Sequence, residues 1–596
     1  MHGQGWPRRE VQGLLKPADS TRADRVPART ARAATEGPGI LDRPRASIEG
    51  RGTIYTPLEL VDRVLAEAWR LVAPGPQITV CDPSCGDGSF LEGARRALAG
   101  VGVQDPDRQL FGVDRDPAAV AMARSRLPGA RLVNAEALVG FDWEAFAPGG
   151  FDLVVGNPPF VRILHLRRHD PDLAEALTRR GSPYASASGS FDLYGPFLEL
   201  AWRLARRAVA FVVPHRFFVT EYGRELRARF GSHVASILDL GDSQPFSGAL
   251  TYPSVVVLEK CVRRTFAFER ARAGGLADDR RAELPISQLA PDAWIPLLPP
   301  EMRIIAKLEE GAVPLFGQSA SPAQKLFVGL QTPSNAVYRL KVVAERGERL
   351  LVTSRAELEP FEIETSVTRA FLMGADIRAF AVRDRGQRVI FPYETNERSP
   401  GPGQPCAGSV SALDLRSCAP LAAAYLDRHR LEFTGGKLLG TYRYPKNLAA
   451  FEQPKLLVGG VASRGRYAYD EAGRYYVAGG GDGGYSLVPG PGIDPWALLS
   501  VLASSPLDFY LQRHSALFSG QCYSYGRRFL HRLPVRHEVL SRELAEIGQA
   551  LAGSGPARAR ILERELDATV AASYGLTSAD LAIIAARVPE RFPASR

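Results

Sequence analysis

The chain has 596 residues, 45% of them apolar and 23% charged, which is too long for one ordinary hydrophobic core and predicts two or three domains. No apolar run is long enough to cross a bilayer and no signal-peptide core opens the chain, so a membrane or secreted protein is disfavoured and a cytoplasmic one expected. A formal charge of +9 suits a polyanionic partner, but an arginine-rich composition gives the same excess, so charge alone selects no function. Residues 1–50, rich in Arg, Ala and Pro without sustained apolar periodicity, predict a disordered basic arm. From 51 to 262, apolar runs alternate with helical patterns: ITVCD (78–82), LFGVD (110–114), ARLVN (130–134), FDLVV (151–155), AVAFVVP (208–214), SILDL (236–240) and PSVVVLEK (253–260). That rhythm predicts an α/β fold with a doubly wound, mostly parallel sheet. Residues 263–300 read as a charged, proline-bearing connector. Residues 301–535 carry short strand patterns with frequent Gly and aromatics and predict a separate, mixed, β-rich domain; residues 536–596 predict a helical tail.

The polar residues that end the runs carry the chemistry. Asp82 closes the first run, and Gly86-Asp87-Gly88 then leads into a helical stretch, a turn that lets a ligand approach backbone N–H groups. The third glycine of a dinucleotide fingerprint would fall at Leu91, which argues against a pyrophosphate cradle. Asp114 closes the second run, where a carboxylate can accept from a ribose diol, and Glu136 follows the third. The fourth run stops at Gly156 and is followed by Asn157-Pro158-Pro159-Phe160. Proline after a strand is an ordinary stop, since it cannot donate to the ladder. Four polar ends on successive strands are harder to reach by chance, because ligands of open α/β sheets bind beyond the carboxyl edge. Upstream, Thr56-Pro57 with Glu59 reads as a helix start, with Thr56 as cap and Glu59 closing a capping box.

Metal chemistry finds no support in the spacing. Cys81 and Cys85 form a lone C-x3-C pair, Cys261, Cys406, Cys418 and Cys522 are scattered, and His165 with His169 lacks a third ligand. Scattered cysteines fit a reducing compartment. The glycine run VAGGGDGGYS (477–486) lacks the Lys-Ser/Thr of a phosphate loop and reads as a flexible hairpin. TYRYPK (441–446) and CYSYGRRF (522–529) mix aromatic and basic residues as nucleic-acid surfaces do, although such a run is also a common solvated face.

Taken in order, these stretches resemble the gamma-class N6-adenine DNA methyltransferases of type II restriction–modification systems. GTIYTP (52–57) is similar to motif X, DPSCGDGSFL to motif I, GVDRDP to motif II, NAEAL to motif III and NPPF to motif IV. FDLYGPFLE (191–199), AFVVPHRFF (210–218) and QPFSGALTYPSVVVLEK (244–260) resemble motifs V, VI and VIII. Glu136 stands where the family usually has Asp, and Phe160 where it more often has Tyr; the carboxylate and the aromatic face survive both changes. The resemblance implies S-adenosyl-L-methionine as cofactor, held by Thr56, Asp82, Gly86, Gly88, Asp114 and Glu136. It implies that Asn157 and Pro158 activate the target amine, and that Phe160 and Phe246 stack on an adenine flipped out of double-stranded DNA. It further implies a recognition domain over 301–535, a monomer, and a separately encoded restriction endonuclease as companion. Two alternatives share these motifs. A combined restriction enzyme and methyltransferase would carry a nuclease domain, usually ahead of motif X, where only about 50 residues stand here. A protein-glutamine or RNA methyltransferase would use the same amide chemistry without a large basic second domain.

Overall fold

The structure, a computed structural model, describes residues 56–241, 252–271, 281–396, 409–434, 436, 438–481, 483–518 and 522–592. The basic arm, most of GTIYTP, Cys406 and the loop carrying Phe246 lie outside the described residues. Gly50–Arg596 forms one compact unit.

All seven apolar runs are strands of one sheet: β1 (Val80–Asp82), β2 (Leu110–Asp114), β3 (Arg131–Asn134), β4 (Phe151–Gly156), β5 (Ala205–Pro214), β6 (Val234–Asp239) and β7 (Pro253–Glu259). Their order is β3-β2-β1-β4-β5-β7-β6. β7 runs antiparallel to both its neighbours, whereas β1 to β5 pair in parallel. β5 shows why these runs are apolar throughout. Ala208, Ala210 and Val212 enter the core beneath one face, while Val209, Phe211 and Val213 enter the core beneath the other. A strand covered on both faces has no solvent side to make polar. Helices α1 (Leu58–Trp69) and α2 (Ser89–Gly100) pack their apolar stripes on the first of those faces, through Leu60, Val64, Leu91 and Leu98.

The stretch at 263–300 is more than a connector. β8 (Thr265–Arg270) pairs in parallel with β6, and β9 (Ala282–Pro285) pairs with β8, which extends the sheet to nine strands. Phe266, Phe268 and Leu284 fill the same core as β4 and β5. Burial of two phenylalanines outweighs the charged residues that flank them.

Beyond it lie a four-stranded sheet (Ala323–Val328, Gly484–Pro489, Lys455–Gly459, Tyr467–Asp470) and a six-stranded one built mainly from residues 339–390. The glycine run is not a hairpin. Tyr475–Val477 pairs in parallel with Thr368–Leu372 of the six-stranded sheet, while Gly484–Pro489 belongs to the four-stranded one. Between them a Cβ on Gly329 or Gly483 would fall on the Ala478 carbonyl, so glycine is needed where backbone crosses backbone. The C-terminal helices are equally integral. Leu544, Leu551, Leu566 and Ile584 share a core with Leu498 and with Ile304 of the helix Pro299–Glu309. No described helix is long and apolar enough to cross a membrane.

Candidate active site

The carboxyl ends of β1 to β4 bring most of the singled-out residues together. β1 delivers Asp82, 1% exposed, and the chain turns through Gly86 (φ 52°) and Gly88 (φ 84°) into α2. Space above Gly86 is open, with nothing within 4 Å of where a Cβ would sit, as a closely approaching ligand requires. Asp114 at the end of β2 fixes this turn: its carboxylate accepts from the Gly86 N–H at 2.8 Å and the Asp116 N–H at 2.9 Å. Asp116 then caps α3 (Pro117–Arg126) through the Ala118 N–H. Glu136 follows β3, accepts from Leu138 N–H at 3.0 Å, and lies 3.7 Å from Arg115, which also pairs with Asp170 at 2.7 Å.

Three carboxylates near one glycine turn are costly to ionise. Burial raises the proton affinity of Asp114 and Glu136, against the pull of backbone N–H donors and, at both, of Arg115. Asp82 is pushed furthest, to about 8, first by burial and then by the neighbouring Asp114 and Asp87. A cationic ligand at this edge would relieve all three. The open glycine turn and the ring of underpaired carboxylates therefore fit S-adenosyl-L-methionine, which carries a sulfonium, an ammonium group and a ribose diol.

β4 ends against β1: a Cβ on Gly156 (φ 155°) would stand 2.6 Å from Asp82 Oδ1. The next residue, Asn157, is thereby set beside the cofactor edge. Its Nδ2 donates to Thr56 Oγ1 at 3.2 Å, and its Oδ1 is buried without a hydrogen-bond partner. Thr56 is thus not the helix cap expected from its spacing. Pro57 is the residue before α1, its carbonyl accepting from Leu60 and Val61, and no side chain caps the helix. Threonine stands one residue too early for that role, and its hydroxyl reaches across 101 positions to the amide. Pro158 is buried, and Phe160 is half-buried, packed edge-on against Tyr194 at 6.1 Å.

Reading the sequence missed the layer behind Phe160. Tyr194, fully buried, bonds Tyr222 through their hydroxyls at 2.8 Å. Asp192 bridges back to Arg162 and pairs with Arg216 at 2.5 Å, yet burial still lifts it to about 6, and its Oδ1 has no partner. The only sign in sequence is an Asp inside the otherwise apolar FDLYGPF. The basic–aromatic patches divide. Tyr442 and Tyr525 are core residues bonded to the Ile390 carbonyl and to Asp508, while Tyr444 is 60% exposed beneath the Arg443 guanidinium. His165 and His169 are exposed, as a surface pair should be. Among the described residues no three His, Cys, Asp or Glu side chains group as metal ligands.

Comparison with known proteins finds DNA methyltransferases and restriction–modification enzymes. The N-6 DNA Methylase family model matches residues 42–177 and the Eco57I restriction-modification methylase model residues 131–246. The type II methyltransferase M.PaeR7I of Pseudomonas aeruginosa is 25% identical over 582 residues, covering 87% of this chain and 91% of its own. The type II restriction enzyme and methyltransferase RM.Eco57I of Escherichia coli is 22% identical over 65% of this chain, and the match spans 40% of that protein's length. Among solved structures, the Type IIL restriction-modification enzyme MmeI in complex with DNA shares the fold, with a TM-score of 0.54 at 15% identity over 89% of this chain and 75% of that one. Sheet order and glycine turn define an S-adenosylmethionine-dependent methyltransferase. Within that class the chain is similar to the N-6 DNA methylases and to type II methyltransferases of restriction–modification systems.

Proposed function

We propose that this chain methylates the N6 amine of an adenine turned out of duplex DNA, as the modification enzyme of its restriction–modification system, with Asn157, Pro158 and Phe160 acting on the base. The observation that carries the residue assignment is Asn157 Oδ1, buried and without a partner while the rest of its amide is tethered. A buried acceptor left unpaired costs about 1–3 kcal/mol, a penalty that a ligand donor at that spot removes. The N6 amine is such a donor. Its lone pair is delocalised into the ring, so it is a poor nucleophile until its hydrogens are drawn aside. Asn157 Oδ1 and the Pro158 carbonyl accept those hydrogens and favour a pyramidal nitrogen. Both acceptors are fixed beforehand, by Thr56 on one side and by proline stiffness on the other, which is preorganisation in the electrostatic sense. Phe160, braced by Tyr194, offers a face to the base. S-adenosyl-L-methionine, when bound, supplies the electrophilic methyl group. Gly86 would admit it, Gly88 lets the turn pack against Ala123 of α3, Asp114 and Glu136 would hold its nucleoside edge, and Asp82 would face its charged end.

Base readout belongs to the region 301–535, where Arg443 and Tyr444 stand exposed. A DNA substrate places the work in the cytoplasm, by a monomer alongside a separately encoded endonuclease. The function is tested by expressing the chain in a methylation-free host and sequencing native DNA for N6-methyladenine. One fixed sequence context is expected; unmodified DNA from an expressed, folded enzyme would overturn the reading. Asn157→Ala should abolish that signal while leaving cofactor affinity near wild type. Asp114→Ala should weaken cofactor binding by about 1.5–3 kcal/mol, the worth of a charged hydrogen bond. Retained turnover by Asn157→Ala would remove Asn157 from the chemistry.

A further inference from the structure

We infer that Asp192 is a positioning residue for methyl transfer: paired with Arg216, it fixes the segment that grips the exit of the Asn157–Phe160 loop, and so sets where the Phe160 ring meets the base. The inference rests on the DNA-methyltransferase reading of that loop. Pro158 and Pro159 have no N–H to donate, so the loop depends on what holds its two ends. Thr56 tethers the entry through Asn157. Main chain holds the exit. Leu193 N–H donates to the Val161 carbonyl and Ile163 N–H to the Phe191 carbonyl, each at 3.0 Å, an antiparallel bridge that sets Arg162 opposite Asp192. Two residues beyond Asp192, Tyr194 meets the Phe160 ring edge-on. Residues 191–194 therefore grip the loop by backbone and by ring together.

The Asp192 side chain anchors that segment to the sheet. It is 1% exposed, and its Oδ2 accepts from Arg216 Nη2 at 2.5 Å. Arg216 stands two positions beyond β5, the strand that pairs in parallel with β4. The pair thus ties the exit of the loop to the same sheet edge from which the loop leaves. Arg162 adds a second positive charge towards the carboxylate from the loop itself. Behind the ring contact, Tyr194 is held in turn by the Tyr222 hydroxyl at 2.8 Å and by the edge of Phe217 at 5.9 Å. A buried ion pair adds little net stability over apolar side chains of the same volume, yet it is directional, and removing one partner strands the other. Placed between a mobile-by-composition glycine–proline loop and a fixed strand, such a pair serves geometry more than stability. Phe160 is half-buried and packs against the cores of both sheet faces, so a small shift of 191–194 tilts the face it offers to the base.

The test uses the full-length enzyme. Single-turnover methylation at saturating DNA and S-adenosylmethionine is measured for wild type, Asp192→Asn, Phe160→Ala and the double variant, with thermal melting as the check on folding. Asp192→Asn keeps the shape and removes the charge that Arg216 holds. It should slow methyl transfer about a hundredfold, the order expected for a reacting group displaced by ~1 Å, while cofactor and DNA affinities stay at wild type. Because Asp192 acts through Phe160, the double variant should be no slower than Phe160→Ala alone. With 2-aminopurine at the target position, the fluorescence of the Asp192→Asn complex should move from the wild-type value towards that of Phe160→Ala. A scaffold role would lower the melting temperature without slowing the folded enzyme, so an unchanged rate overturns the inference, as do losses that multiply in the double variant. Should Asp192→Asn fail to fold, Arg216→Gln breaks the pair from its more exposed side, 30% against 2%, and carries the same expectations. A second arm needs no DNA. Amide hydrogen exchange at Ile163 and Leu193 should quicken in the variant, and unchanged exchange overturns the grip. A wild-type enzyme that binds cofactor yet leaves DNA unmethylated would fail the functional reading itself, while the exchange arm still decides whether Asp192 pins the loop.

Discussion

Thr56 shows how one hydroxyl can belong to a different argument from the one its neighbours suggest. Bonded to Asn157 Nδ2, it orients the amide so that Oδ1 is the atom left unpartnered, the one that the proposed reaction assigns to substrate. Thr56→Val keeps the shape and removes the tether. Turnover should fall about a hundredfold, the order expected for a reacting group displaced by ~1 Å, while cofactor affinity holds. Equilibrium binding set beside single-turnover rates checks this; a drop in cofactor affinity with an unchanged rate would return Thr56 to the cofactor role implied by its motif. Asp82 makes a prediction in pH. Its folded value of about 8 lies above its ordinary range, so the folded chain holds a proton that the unfolded chain has lost. Asp82 therefore favours the folded state at acid pH, and stability falls as pH rises from the ordinary carboxylate range towards 8. Where a cationic cofactor draws that proton off, binding tightens with pH by at most about tenfold per unit and levels near 8. Isothermal titration across that range should show the rise in wild type and a flatter profile in Asp82→Asn; identical profiles would separate Asp82 from the cofactor's charge.

Strands and turns tell which features a linear reading captures. The seven β-runs are continuous, apolar and bounded by glycine or proline, so local pattern and global burial agree. β8 escaped because TFAFER is short and framed by charge, and what makes it a strand is the exposed edge of β6 beside it. The site divides in the same way. Asp82, Asp114 and Asn157 sit at strand ends, where topology alone sets the ligand edge, and they are legible. Asp192 and the Thr56 tether depend on partners 24 and 101 residues away, which no spacing rule contains. Tyr442 and Tyr525 look like surface aromatics because alternation with Arg says nothing of which side chain turns inward. The close approach of β4 to its sheet neighbour β1 is itself testable. Gly156→Ala would drive a methyl towards the Asp82 carboxylate at a backbone angle that favours glycine. Denaturant unfolding should show a loss of about 1–3 kcal/mol, the usual cost of such strain. An unchanged midpoint would mean that β4 can shift freely, and that Asn157 is less firmly placed than its neighbours suggest.

At the scale of the whole chain, the catalytic part extends past its motifs. A fragment ending at residue 262 lacks β8 and β9 and bares the edge of β6, with Phe266, Phe268 and Leu284 gone from the core. A fragment of 52–298 restores them. Only the longer piece should be monodisperse and bind S-adenosylmethionine, as gel filtration and calorimetry would report; equal behaviour of both would make the outer strands dispensable. Removal of 536–596 should be no milder. Arg464 and Arg591 meet Asp508 and Glu563 in a buried ion-pair cluster, and a cluster broken on one side strands its remaining charges.

The close backbone crossing of Gly329, Ala478 and Gly483 has a consequence for how such enzymes could acquire new targets. The six-stranded sheet packs a core drawn from Phe327–Phe451 with Tyr476, Ala478 and Val488, and the strands of Phe327 and Val488 turn their neighbours Leu326 and Leu487 into the core that holds the C-terminal helices. It is joined to the four-stranded sheet where main chain lies on main chain and by a small buried apolar cluster of Leu372, Val477, Leu457 and Ala468. A foreign lobe grafted there must bring glycines and a compatible backbone together with residues that match this small cluster. On the proposed assignment of base readout to this region, specificity would then be exchanged as a cassette, with the scaffold, the methyl donor site and the amide tether inherited unchanged.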